Sequence, residues 1–231
     1  MDAPPPRWGL GDAALGLVLS TGLSIAFAGV WIDVQGGTRT SLGLALASLL
    51  GLWLGLAGVP VMAARRKGNG SVVEEFSLRV ERSDVPLGVA AGLASQLVLV
   101  PLLYLPLRYL APDFHERVGE GSEEILDTAS QGGRLLLFLL LVVAAPLVEE
   151  LFFRGLLQRA LVRRIGRPAP AVAVAAAVFG LVHYDVAALL GLVAFGVVLG
   201  VLVVRTGRLG PAVVAHAAFN AVTVVSYVAT S

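Results

Sequence analysis

The hydrophobic positions of this chain are gathered into long runs that contain no charged residue. Most runs approach the roughly 20 residues that a helix needs to cross a hydrocarbon layer of about 30 Å. Alternating barrel strands are absent, and lipid offers no partner for backbone polar groups, so the runs predict helices. The expected fold is an all-α, polytopic transmembrane bundle of about seven spans. The predicted spans cover 11–32, 41–63, 85–107, 134–158, 168–184, 186–204 and 209–230.

Composition narrows the class further. Of 231 residues, 57% are hydrophobic and 14% are charged. Soluble domains carry about 25% charged residues, so a soluble enzyme and a disordered chain are excluded. Cysteine is absent, which excludes disulfides, thiolate catalysis and cysteine metal sites. The net charge of +1 offers no basic face, so membrane lipid is an expected partner and nucleic acid is not.

The basic residues between the spans predict the orientation. With the N-terminus inside, the inner segments hold 12 Lys and Arg residues and the outer segments hold 4, while Arg154 lies inside the fourth span. Cytoplasmic loops carry the excess of basic residues, so the bias predicts an N-in, C-out chain. Arginine outnumbers lysine 16 to 1 in a chain dominated by Ala, Gly, Leu and Val. This usage is typical of a high-GC bacterial genome and favours the bacterial cytoplasmic membrane.

Two regions of different content are expected. Residues 1–133 form a variable region with three spans and two long loops. The loop at 64–84 is predicted to be cytoplasmic and close to the membrane surface, and the loop at 111–133 is acidic and outside. A solvated loop, an amphipathic surface helix and a partner-binding segment all fit the acidic loop. Residues 134–231 form the second region, with four spans and nearly all of the ionisable groups predicted inside spans.

Polar side chains inside spans are costly and mark functional candidates. Spacings of four residues place Glu150 with Arg154, and His216 with Asn220, on shared helix faces, whereas Glu149 points about 100° away from Glu150. The candidates on the fourth, fifth and seventh spans are Glu149, Glu150, Arg154, His183, His216 and Asn220.

Each of these features also has a purely structural explanation. The Glu150–Arg154 pair alone can fix helix packing, a lone histidine is usually an interhelix contact, and Asp185 lies at a predicted turn. Taken together, two acids, two histidines, an arginine and an asparagine are hard to explain as packing alone. Pro146 removes a hydrogen bond to the carbonyl of Val142, and the resulting kink favours a wet pocket beside the carboxylates.

These groups suffice to hydrolyse an amide without a serine or cysteine nucleophile. A carboxylate paired with Arg154 stays ionised, and the other carboxylate can act as a general base on water. The imidazoles can bind a divalent metal or donate hydrogen bonds to an oxyanion, and Asn220 adds an amide donor. From the residues alone, water activation by a metal and by a carboxylate both stay open.

Three motifs follow one another along the second region: EExxxR at 149–154, FxxxH at 179–183 and HxxxN at 216–220. Their order and spacing resemble the CPBP family of intramembrane endopeptidases, also called the CAAX protease, bacteriocin-processing or Abi family. The resemblance covers roughly 134–231. It implies a protease that cuts membrane-anchored or hydrophobic proteins and peptides, including CAAX-type prenylated ones, near the membrane.

The resemblance also implies a role for each site residue. Glu149 would activate water, and His183 would help to activate or position it. His216 and Asn220 would stabilise the oxyanion. The family is described both as metalloprotease and as glutamate-dependent, so a divalent metal such as Zn²⁺ and no cofactor at all are both compatible with it. The ligands expected for a metal are Glu149, His183 and His216, and the residues expected to support the geometry are Glu150 and Arg154.

The predicted depths of the site residues conflict with one another. Counted from the predicted span ends at 1.5 Å per residue, Glu149 and His216 lie roughly 9–12 Å from the cytoplasmic side, and His183 lies roughly 22 Å from it. They can meet only if spans five and six form a displaced, short hairpin that does not reach the outer interface. The site is expected to open toward the cytoplasm.

Other functions can use the same residues. A proton-coupled transporter would use them as a relay and predicts inverted repeats, which the sequence lacks. A haem site would use His183 and His216 as axial ligands. A binding-only member, such as a bacteriocin-immunity protein, would keep the fold without cleavage, although the complete motifs argue for activity. No feature of the sequence sets an oligomeric state.

Overall fold

Helices account for the regular secondary structure of this protein. The structure, a computed structural model, describes residues 6–37, 41–110 and 130–230. No strand occurs in these ranges, which confirms the all-α prediction. The helices are α1 (Leu10–Gln35), α2 (Leu42–Lys67), α3 (Val72–Glu75), α4 (Asp84–Ala94), π1 (Ser95–Leu99), α5 (Val100–Leu110), α6 (Gln131–Leu139), π2 (Leu140–Ala144), α7 (Ala145–Glu150), π3 (Leu151–Gln158), α8 (Arg159–Ile165), α9 (Pro168–Leu181), α10 (Leu189–Thr206) and α11 (Gly210–Thr230).

Each of the seven predicted spans falls on one of these helices or on a continuous series of them. Two apolar helices, Pro168–Leu181 and Gly210–Ser226, are shorter than a full span. The protein is an integral membrane protein with a polytopic helical bundle, while the N-in orientation and the bacterial cytoplasmic membrane stay predictions. Residues 111–129 of the acidic loop lie outside the described residues. Within the described residues, five helices are long and apolar enough to cross a membrane: Leu10–Gln35, Leu42–Lys67, Asp84–Leu107, Gln131–Ile165 and Leu189–Thr206.

Helices α1 and α2 form a hairpin that depends on glycine. Gly51 and Gly55 of α2 face the α1 backbone at Leu23 and Ser20, and a methyl group at either glycine would collide with that backbone. Small residues allow such close approach inside membranes, where packing holds helices together. The hairpin in turn contacts π3, so it supports the helix series that carries the first motif.

The helix series from α6 to α8 is longer than predicted. It ends at Ile165, past the predicted end at 158. The predicted span ends directly before Arg159. The helix continues through this residue because the Arg159 guanidinium donates to the carbonyls of Glu75 and Phe76. Backbone carbonyls thus replace water as partners of this charge, and the helix extends through it.

Pro146 changes the hydrogen-bond register of the same series. The N–H of Ala145 reaches the carbonyl of Leu140, five residues back, which is the bond of a π-helix. In this register the next acceptor is the carbonyl of Leu141, and Pro146 has no N–H to offer it. The interruption expected at Pro146 is present, and the structure shows that it also affects the carbonyl of Leu141, five residues before the proline.

Spans five and six are expected to form a short hairpin, and in the structure the first helix of this pair, α9, is short. Helix α9 has 14 residues, a length of about 21 Å at 1.5 Å per residue, which is less than a hydrocarbon layer. Three helices, α2, α8 and α10, carry basic residues in their last turns at the same end of the bundle, called here the basic end. Helix α9 starts at the basic end and stops before the opposite one.

Helix α11 starts inside the protein rather than at its surface. Leu209 and Ala212 are fully buried. The N–H of Leu209 donates to the carbonyl of Ser77 at 3.1 Å, and Arg208 binds the Asp84 carboxylate. The segment between α3 and α4 therefore covers the beginning of α11.

These two features remove the conflict between the predicted depths. Because the helix series runs to Ile165, Glu149 lies up to about 24 Å from the basic end, which matches the length of α9. The segment between α3 and α4 covers the start of α11 at the basic end. His216 therefore lies farther from that end of the bundle than its position near the start of the helix suggests. The depth of roughly 9–12 Å predicted for Glu149 is counted from a span end at 158, whereas the helix series continues to Ile165.

Candidate active site

Glu150 lies at the centre of a buried polar cluster. Its Oε1 accepts hydrogen bonds from Arg154 Nη1 at 2.8 Å and from His216 Nδ1 at 2.9 Å. The three side chains are 5% exposed or less. The pairing of Glu150 with Arg154 agrees with the sequence analysis, whereas the bond to His216 was not predicted. This bond joins the first motif to the third.

Arg154 is also held by α9 and α10. Its Nη2 donates to the carbonyl of Gly196 at 3.1 Å, and its guanidinium carbon lies 4.5 Å from the centroid of the Phe179 ring. In the same way, Gln158 Nε2 donates to the carbonyl of Gly200 at 3.1 Å. A side chain at either glycine would meet Arg154 or Gln158. A carboxylate, a carbonyl and an aromatic face thus offset the cost of burying the Arg154 charge.

Glu149 approaches His216 from the other side of the ring. Its Oε2 lies 3.9 Å from His216 Nε2, too far for a hydrogen bond, and its side chain is 14% exposed. This oxygen is buried and has no hydrogen-bond partner in the protein. Burying an unpaired carboxylate oxygen is costly, so the gap between Glu149 Oε2 and His216 Nε2 is suited to a third hydrogen-bonding group. A water molecule at hydrogen-bond distance from both atoms fits this separation.

The ring of Phe179 brings the three motifs together. Its centroid lies 4.7 Å from that of His183 and 5.7 Å from that of His216. The rings of Phe179 and His183 meet edge to face, with an interplanar angle of 64°. Since Arg154 lies over the same ring, all three motifs meet around one fully buried aromatic side chain.

The sequence analysis expected His183 inside the fifth span, but in the structure this residue lies outside the helix. Helix α9 ends at Leu181, and His183 is exposed in the turn that follows. Its Nδ1 lies 2.6 Å from the carbonyl of Phe179, one of the last carbonyls of the helix, which have no helical partner. A carbonyl only accepts, so Nδ1 carries the hydrogen, and Nε2 of the neutral ring is free to take a proton. His183 ends the helix instead of continuing it.

The hydrogen bonds of His216 assign its two nitrogens in the same way. Nδ1 donates to Glu150, whose charge is offset by Arg154, and Nε2 faces Glu149. Phe179 and Phe195 contact the imidazole with T-shaped geometry on two sides.

Asn220 contacts the backbone freed by Pro146. Its Nδ2 donates to the carbonyl of Leu141 at 2.8 Å. This is the carbonyl that the π-register leaves without a helical donor. The asparagine therefore links α11 to π2, and its Nδ2 keeps a second hydrogen for another acceptor.

Comparison with known families matches the segment that contains all six site residues. Residues 131–222 match the family model of the type II CAAX prenyl endopeptidase, Rce1-like. This segment is an Rce1-like domain. The match confirms the resemblance to the CPBP family and supports a CAAX-type intramembrane endopeptidase at the level of the family. No curated protein and no solved structure matches the chain.

The Rce1-like domain does not gather the expected metal ligands into a cage. Within the described ranges, no group of three His, Asp or Glu side chains is placed to hold one ion. The side chains of Glu149, His183 and His216 are thus not placed to hold one ion in this arrangement, so no catalytic step is derived through a metal.

The segment between α3 and α4 covers part of the basic end of the Rce1-like domain. Phe76, from the segment between α3 and α4, is fully buried against Gly155, with its ring 5.2 Å from that of Trp8. A hydrogen bond to Asp84 raises the pKa of Arg208, so the Arg208 side chain of this ion pair stays charged at physiological pH. The exposed His183 lies at the opposite end of α9. The cytoplasmic opening of the site and the N-in orientation both stay predictions.

Several parts of the site were missed at the level of sequence. The residue types do not indicate the π3 register around Arg154 or the acceptor role of the Leu141 carbonyl. Gln158, by contrast, could have been predicted from its spacing. It follows Arg154 by four residues, and Gly196 and Gly200 on the facing helix have the same spacing.

Proposed function

We propose that this protein hydrolyses peptide bonds of membrane-associated proteins or peptides, with water activated by Glu149. The observation that carries the proposal is the pair formed by Glu149 Oε2 and His216 Nε2. The two atoms are 3.9 Å apart, and the carboxylate oxygen has no protein partner. A carboxylate and an imidazole that face one reacting position are the groups a general base and an oxyanion donor require.

The reaction follows from these groups. Glu149 accepts a proton from water while the water oxygen bonds to the scissile carbonyl carbon. The carbonyl oxygen becomes an oxyanion and accepts hydrogen bonds from protonated His216 Nε2 and from the second hydrogen of Asn220 Nδ2. The proton on Glu149 then passes to the leaving amine as the C–N bond breaks. His183 Nε2, at the exposed side of the Phe179 ring, positions the water or takes part in this proton transfer.

Glu150 and Arg154 act through His216. Glu150 fixes which His216 nitrogen carries the hydrogen and stabilises the imidazolium, and Arg154 keeps Glu150 charged. An acid in this position orients its histidine without taking up a proton itself.

Membrane-anchored substrates of the CAAX type fit this proposal. The matching family model is described as a type II CAAX prenyl endopeptidase, and the matched segment belongs to a bundle of apolar helices. Cleavage by purified protein should be measured on matched membrane-tethered peptides with and without a prenyl group. We expect faster cleavage of the prenylated peptide, and equal rates would remove the prenyl requirement while leaving the protease activity.

The test of the reaction itself compares the wild type with His216→Ala and with a chelator. Removing an oxyanion donor costs about 10²–10³-fold in kcat, so His216→Ala should lower kcat at least that much. Chelator treatment should leave the wild-type rate unchanged. Loss of activity with the chelator and its recovery with Zn²⁺ would overturn the carboxylate mechanism, and an inactive wild type would overturn the proposed function.

A further inference from the structure

Tyr104 lies outside the Rce1-like domain and contacts the hairpin that carries His183. It belongs to α5, and its side chain is buried. The phenol hydroxyl donates to the carbonyl of Ala188 at 3.1 Å and also bonds the backbone of Gly191. Gly191 is required for this approach, because a side chain there would collide with the phenol. The N-terminal half of the chain thus holds the beginning of α10.

The segment held in this way is the turn between α9 and α10, residues 182–188, called here the histidine turn. Asp185 Oδ1 accepts from the N–H of Ala188 at 2.9 Å, which closes the turn at its second end. Tyr184 adopts a left-handed conformation with φ of 54°, which is strained for a residue with a side chain. Val186 is 87% exposed. A strained, exposed turn keeps one conformation only when its ends are fixed.

The two ends of the histidine turn are fixed by different means. At the first end, His183 bonds the Phe179 carbonyl of its own helix. At the second end, Ala188 is bonded through its N–H by Asp185 and through its carbonyl by Tyr104. The Tyr104 bond comes from another part of the bundle, so it sets where the turn lies relative to the remaining site residues.

We propose that Tyr104 is a positioning residue that holds the histidine turn, and with it His183, in place against Phe179. The inference rests on the proposed function for the role of His183, but the tether itself is a statement about the fold. Tyr104→Phe keeps the ring and removes the hydroxyl, so it releases the turn with little change in packing.

The first test measures the turn without any substrate. The chain has no cysteine, so Val186→Cys provides a single site for a nitroxide spin label. We expect Tyr104→Phe to sharpen the spectrum of this label, which reports greater mobility. A label at the exposed Val204 of α10 should not change. The same loss of a hydroxyl at the exposed Tyr184 should also leave the Val186 label unchanged. An unchanged Val186 label in Tyr104→Phe overturns the tether.

The second test measures cleavage of the membrane-tethered peptide. Loss of one positioning hydrogen bond should lower kcat about tenfold, the equivalent of roughly 1.4 kcal/mol, with KM within about twofold of the wild type. A kcat equal to that of the wild type overturns the positioning role. A wild type that does not cleave overturns the proposed function instead, and the tether is then decided by the label alone.

Discussion

Glu149 and Glu150 are neighbours in the sequence, and both face His216 but in different ways. Glu150 accepts hydrogen bonds from Arg154 and His216 and is fully buried, whereas Glu149 faces His216 without a bond and is partly exposed. The difference follows from the helix, which turns consecutive side chains about 100° apart. Glu150 therefore belongs to the stability of the bundle, and Glu149 is free for chemistry.

This division predicts that the same substitution, glutamate to glutamine, affects stability strongly at position 150 and weakly at position 149. Glu150→Gln leaves Arg154 as a buried charge without its partner, which should lower the free energy of unfolding by about 3–5 kcal/mol. Glu149→Gln removes no protein hydrogen bond of Oε2, so it should change stability by less than about 1 kcal/mol. Thermal unfolding of both variants in the same detergent is the measurement. Equal losses of stability would contradict the division.

At the scale of the elements, Pro146, Leu141 and Asn220 form a unit that spans two helices. The proline removes a donor, the π-register leaves the Leu141 carbonyl as the acceptor concerned, and the asparagine on α11 supplies the missing hydrogen bond. A local interruption in one helix is thus compensated by a side chain on another.

The unit predicts non-additive effects. Pro146→Ala provides an N–H that competes with Asn220 for the Leu141 carbonyl, so Asn220→Ala should cost less stability in that background than in the wild type. The coupling should amount to about 0.5–1.5 kcal/mol, the contribution of one hydrogen bond. A double-mutant cycle on unfolding in detergent measures it. Additive losses would contradict the proposed compensation.

Apolar runs alone were enough to predict the helices, but not where two of them end. Arg159 was expected to end a span, and it lies within the helix series because carbonyls from a distant segment bind it. His183 was expected inside a span, and it ends α9 because its ring satisfies a helix carbonyl. Both ends depend on contacts between side chains and backbone that hydropathy does not record. The i,i+4 pair of Glu150 and Arg154 was predictable because its contact is local.

At the scale of the whole molecule, the two ends of the Rce1-like domain differ. The segment around Phe76 covers part of the basic end, and the histidine turn lies at the other end. The positive-inside rule predicts that the basic end lies in the cytoplasm. For an N-in chain, this predicts that the histidine turn lies toward the non-cytoplasmic face.

This arrangement predicts which cysteines an impermeant reagent reaches. Because the chain has no cysteine, Val186→Cys and Arg164→Cys can be labelled singly in right-side-out and inside-out vesicles. We expect the impermeant maleimide to reach position 186 in right-side-out vesicles and position 164 in inside-out vesicles. Labelling of both from the same side would contradict the relative placement of the two ends. The reverse pattern would contradict the N-in orientation alone.

The central claim is that Glu149 activates the attacking water, and one comparison tests it most directly. The rate at which purified protein cleaves a membrane-tethered peptide should be measured for the wild type, for Glu149→Gln and for Glu74→Gln. Glu74 is an exposed glutamate at the basic end and serves as the matched control. A general base contributes about 10²–10⁴-fold, so Glu149→Gln should lower kcat by that factor, and Glu74→Gln should cleave at the wild-type rate. Cleavage by Glu149→Gln at the wild-type rate would contradict the account.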